Sequence, residues 1–135
     1  MTSPDAPAPR RKRRRWPVVV ATILLVPLLL AGIYTFFVVS WSYSDGERAG
    51  TLQKFSRKGW LCKTYEGELA LYVVGGVAPQ IWYFTVRDEA LVRQMSNAVG
   101  NKVQLHYAEH RGVPTSCFGE TAYWVDQVKV TAPSP

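Results

Sequence analysis

The sequence predicts one N-terminal apolar helix followed by a small, mainly-β domain, and three observations predict it. Six basic residues at 10–15 run directly into an uncharged stretch, 16–39. Beyond that stretch, short runs rich in aromatic and β-branched residues are separated by Gly and Pro. Only one later segment, after Asp88, carries an apolar face at helical spacing.

The elements follow in order. As a helix, the uncharged stretch would be roughly 36 Å long at about 1.5 Å per residue, enough to span a hydrocarbon core of about 30 Å with some tilt. Trp16 stands at one end, and Tyr34, Trp41 and Tyr43 stand at or near the other, the positions expected of interfacial rings. Pro27 removes one backbone donor at mid-span and predicts a modest kink. After a connector at 40–46, the first strand is expected over 48–56, and Arg57-Lys58-Gly59 reads as a hairpin turn. A long second strand, 60–74, ends at Gly75-Gly76 and Pro79. The third strand, 81–86, is aromatic and β-branched throughout. Asp88 then caps a helix whose apolar face is Leu91, Val92, Met95, Ala98 and Val99, with Gly100 at C′. The fourth strand, 102–109, turns Val103, Leu105 and Tyr107 inward and Gln104, His106 and Ala108 outward. A loop at 110–120 leads to the fifth strand, 121–130. The resulting order, β-β-β-α-β-β, is that of an OB-like five-stranded barrel whose closure removes sheet edges. The competing fold is an open α+β sheet with one helix on a face.

Charge divides the chain sharply. Residues 1–15 carry six basic side chains against one acid, Asp5, whereas residues 42–135 carry ten basic against nine acidic ones. The high isoelectric point therefore belongs to the tail. By the positive-inside rule the N-terminus is cytoplasmic and the following domain extracytoplasmic. The expected organisation is a basic cytoplasmic tail, 1–15, with a disordered lead, then a transmembrane helix, 16–41, and an outer domain, 42–135. A cleaved secretory signal is the competing reading, although signal cores are shorter, about 7–15 residues. Because topology accounts for the tail's charges, no nucleic acid is expected as a partner. The expected partners are the lipid bilayer and another envelope protein.

Cys62 and Cys117 are the only cysteines. In an oxidising compartment such a pair reads as a disulfide. It would close a loop of roughly 54 residues, for which the chain-entropy model gives about 4 kcal/mol. Two independent buried thiols are the alternative. There is no Cys-x-x-Cys spacing for redox work, and the histidines are badly placed to complete a zinc site.

Few residues point to chemistry. On an OB-type surface, strands two and three with the loops 1–2 and 4–5 bind ligands. That surface would carry Lys63, Tyr65, Trp82 or Tyr83, and Arg111, rings and cations able to stack and pair, though strand rings also fill small barrels. His106 and His110 suggest haem or metal handling as an alternative, but four residues apart on a strand separates them by about 13 Å. Glu66 and Glu68, about 7 Å apart on one strand face, allow a hydrolase with a carboxylate pair; any solvent face has the same spacing. Thr115 and Ser116 lack a nucleophile elbow, and Gly75-Gly76 lacks a dinucleotide fingerprint. The expectation is a non-enzymatic binding module needing no cofactor.

The runs Ser42-Tyr-Ser-Asp-Gly-Glu-Arg-Ala-Gly50, Lys63-Thr-Tyr-Glu-Gly-Glu-Leu69, Phe84-Thr-Val-Arg-Asp88 and Gly112-Val-Pro-Thr-Ser-Cys-Phe-Gly119 resemble an uncharacterised family of small bacterial single-pass membrane proteins. That resemblance covers most of the span and the whole outer domain, and implies a bacterial inner-membrane protein with a periplasmic OB-like domain and no assigned activity. More distantly, the layout is similar to that of the membrane-tethered haem chaperones of cytochrome c maturation, whose haem-binding motif is absent here.

Overall fold

A computed structural model describes residues 15–71, 75 and 78–133. The basic run ahead of Arg15, the predicted strand end at 72–74 and the Gly76 half of its glycine break lie outside the described residues. The chain divides into two compact units between Ile33 and Tyr34.

Helix α1, Trp16–Ser40, buries none of its side chains and contains Pro27. It is long and apolar enough to cross a membrane. Thr22 satisfies its hydroxyl by donating to the Val18 carbonyl, 2.8 Å away, which removes the penalty of an unpaired polar group in an apolar setting.

The second unit holds the last turns of α1 and the β domain. Its elements are β1 (Ser44–Lys58), β2 (Thr64–Leu71), β3 (Gln80–Val86), α2 (Glu89–Ala98), β4 (Lys102–Glu109) and β5 (Tyr123–Ala132). The five strands close into one ring in the order β1-β2-β3-β5-β4. Closure depends on β1, which is longer than expected at both ends. Its first half, Ser44–Thr51, pairs with β4 and its second half, Gly50–Lys58, pairs with β2. The register shifts between Leu52 and Lys54, where the strand bends from one partner to the other. The last seam is parallel and short: Thr85 faces Trp124 and Val86 faces Val125.

Period-two alternation turns Leu52, Leu69, Trp82, Phe84, Val103, Leu105 and Val125 into one core. Helix α2 adds Leu91, Met95 and Ala98. Asp88 caps it by accepting from the Ala90 amide at 2.9 Å. Its far end is tied to β1 by two backbone bonds, Gly100 N–H to Leu52 O (2.7 Å) and Leu52 N–H to Asn101 O (3.1 Å).

Candidate functional site

Two loops meet on the outer side of β2 and β3. Loop 1–2 spans 59–63 and loop 4–5 spans 110–122. In loop 1–2, Gly59 sits at φ +123°, and a Cβ there would fall 1.8 Å from the Cys62 carbonyl oxygen, so the turn requires glycine. The turn lifts Trp60 and Leu61 clear of the molecule, 98% and 87% exposed. Cys62 is then bridged to Cys117, in the short 3-10 turn Ser116–Phe118 of loop 4–5. Beyond it, Gly119 lies against Thr85; a Cβ would meet the threonine Cγ2 at 2.6 Å.

Beneath loop 4–5 lies a buried carboxylate. Glu66 was expected on a solvent face beside Glu68, but it is only 5% exposed. The Thr64 hydroxyl donates to its Oε1 at 2.6 Å and the Thr85 hydroxyl to its Oε2 at 2.7 Å. The Glu120 amide donates to Oε1 at 3.1 Å. Thr121 continues the network, its amide donating to the Thr85 oxygen at 3.3 Å. Neutral donors thus satisfy the carboxylate and fasten loop 4–5 over the sheet. Glu68 is engaged instead with Lys54, at 3.6 Å. The two acids do not act as a pair, and a hydrolytic role loses its geometric basis.

Beside this network opens a cleft of about 190 Å³, lined by Arg57, Lys63, Tyr65, Arg87, Glu89 and Phe118. Two of its cations lie on rings. The Arg87 guanidinium stands 4.4 Å from the Trp124 ring centre and 5.6 Å from that of Phe118. Arg57 stands 5.7 Å from Tyr65, which is stacked on Phe55. A guanidinium held over a ring keeps its N–H edge for a planar or tetrahedral anion. Three cations against one acid make the cleft electropositive although the domain as a whole is nearly neutral.

The other predicted residues are scattered. Lys63 and Tyr65 are in the cleft. Tyr83 is exposed on the outer face of β3. Trp82 is not on that face: it is 6% exposed, packed in the core against Phe84, Tyr107 and Tyr123, with the Arg48 guanidinium 5.0 Å from its ring. His106 binds Asp126 at 2.6 Å. That hydrogen bond raises the His106 pKa above its ordinary value, with partial burial opposing it. His110 is not an exposed ligand either; it is buried, stacked on Trp124, with Nδ1 3.1 Å from the Val38 carbonyl. Arg111 pairs with Glu109 at 2.7 Å and covers the Tyr43 ring; the bond from Arg111 holds the Glu109 carboxyl below its usual range. Among the described residues, no three His, Cys, Asp or Glu side chains converge to hold a metal.

Arg57, Arg87, Phe118 and the Trp60-Leu61 tip escaped sequence reasoning. One signal was present: residues 54–65 contain four basic side chains and no acid.

Residues 41–134 match a family model described as a domain of unknown function, DUF8785. The chain belongs to that family. No curated protein matches it. Among solved structures it is similar to the mitochondrial single-stranded DNA binding protein of S. cerevisiae, with a TM-score of 0.54 and 9% identity, covering 70% of this chain and 100% of that one. At that identity the likeness concerns the fold alone. It nevertheless overturns the exclusion of nucleic acid drawn from charge: a protein of similar fold binds single-stranded DNA. The tail's charges, once assigned to topology, say nothing about the cleft, whose cations come from β1, loop 1–2 and the end of β3.

Proposed function

We infer that this chain is a membrane-anchored, non-enzymatic binding module of OB type that takes an anionic ligand in the stapled cleft. One observation carries the reading. The Cys62–Cys117 bridge ties together the two loops that, with β2 and β3, form the usual ligand surface of this fold, and Arg57, Lys63 and Arg87 line the cleft beside it.

The anchor is the apolar helix, with residues 1–15 as a cytoplasmic tail, 16–41 as the span and 42–135 as the outer domain. The basic run supports that orientation, and a disulfide fits a periplasmic face of a bacterial inner membrane. Single-stranded nucleic acid is one anionic ligand the fold can take, as its structural neighbour does; phosphate-bearing lipid is another.

The test uses the full chain in nanodiscs of neutral phosphatidylcholine. Binding of a labelled oligothymidylate and of inorganic polyphosphate is followed by fluorescence anisotropy across a salt series. We expect at least one probe to bind, and Arg87→Glu and Lys63→Glu each to weaken it at least tenfold. Affinities unchanged in both variants would remove the cleft from the reading.

A further inference from the structure

The least explained feature of the surface is the tip of loop 1–2. Trp60 and Leu61 are almost fully exposed, whereas Trp82 and Trp124 are buried. The tip is held in place: Gly59 makes the turn on one side and the disulfide fixes Cys62 on the other. An apolar pair presented on a fixed base loses little conformational freedom on docking.

The charges around the tip select its occupant. Of the four cations at 54–65, Lys54 is engaged by Glu68, which leaves Arg57, Lys58 and Lys63, with Arg87 across the cleft. Glu66 is buried and satisfied by neutral donors. Glu89 lines the cleft and Glu120 lies exposed on loop 4–5. An exposed Trp-Leu pair ringed by cations is the composition that settles at the interface of an anionic bilayer: the indole at headgroup depth, the aliphatic chain just below, the cations on phosphates. Single-stranded nucleic acid fits less well. Base stacking needs several free ring faces, yet Tyr65 and Trp124 are already faced by Arg57 and Arg87, which leaves Trp60 and Tyr83 as the exposed rings of this surface, and Leu61 offers none.

We propose that the Trp60-Leu61 tip inserts into an anionic bilayer surface while Arg57, Lys58, Lys63 and Arg87 bind its lipid phosphates. This rests on the reading of the cleft as an anion site and names the source of the anion. The tip gives the chain a second membrane contact beside its helix, and two weak attachments on one chain reinforce each other through effective concentration.

The full chain is reconstituted in nanodiscs of phosphatidylcholine, alone or mixed with phosphatidylglycerol, with brominated chains in both compositions. Vesicles of the same two compositions are added in parallel, so that a bilayer facing the tip from either side is sampled. The Trp60 emission is taken as the difference between the native chain and Trp60→Phe. We expect a blue-shifted Trp60 signal, quenched at least twofold more by the brominated anionic lipid than by the neutral one. Lys58→Glu with Lys63→Glu should abolish that difference. A Trp60 signal that stays solvent-like in every bilayer, while oligothymidylate or polyphosphate binds the cleft, would overturn lipid docking and leave the anion site standing. A solvent-like Trp60 with no binding of either soluble probe would overturn both.

Discussion

Two tryptophans in this chain followed opposite courses. Trp82 sits in an aromatic run on β3, where either it or Tyr83 is expected on a ligand surface; it packs inside the strand ring, and Tyr83 is the exposed one. Trp60 sits beside a glycine turn and drew no attention; it is the most exposed large hydrophobic side chain among those described. From Ile81 to Val86 every position of β3 is aromatic or β-branched, so alternation cannot tell one face from the other until the partners are known. In loop 1–2 no alternation applies, and exposure is decided by a bridge between distant cysteines. The contrast teaches that a ring's role here depends on which backbone carries it, more than on its neighbours in sequence.

The comparison is most easily broken from inside. Phe84 is fully buried and touches Trp82. Phe84→Ala should destabilise the domain by about 3–5 kcal/mol, read from urea denaturation of the detergent-held chain; a loss under about 1 kcal/mol would mean that the strand ring is not the core. An intermediate effect is expected at the boundary between core and loop. Glu66→Ala leaves the Thr64 and Thr85 hydroxyls and the Glu120 amide without their acceptor, worth about 1–3 kcal/mol. Glu66→Gln should lose less, since one acceptor oxygen remains. If the two variants match the native chain in denaturation, loop 4–5 is not fastened by this carboxylate. The smallest effect belongs to the tip: Trp60→Ala should change stability by no more than about 0.5 kcal/mol, and a larger loss would show that the indole packs on something.

Much of the fold was legible because local rules acted alone. The Asp88 cap, the α2 face and the β4 alternation need no distant partner; they appear as read except at Val99, which ends the helix and is exposed. Strand β2 was read as too long at its start, since residues 60–63 carry strand-forming types but are spent on the turn and the bridge. The site was less legible. Arg57 and Arg87 lie thirty residues apart and share a cleft only because β2 pairs with both β1 and β3. Glu66 has the spacing of a solvent-face residue, and only loop 4–5 folding back over β2 and β3 buries it. Both facts come from pairing and loop contacts between segments distant in the chain, which no window of sequence contains.

The ring is joined by unequal seams. Four are antiparallel, running along seven or more residue pairs each, while β3 and β5 meet over two. Parallel pairing between segments so far apart in the chain is slow to form, so that join should be the last to zip in folding and the first to exchange its amide hydrogens. The Cys62–Cys117 bridge and the Glu66–Thr85–Thr121 network cluster at this join. They work as a latch: without them the barrel would unroll from its β3 edge, and with them the weakest join of the sheet is held closed by contacts outside the strand ladder.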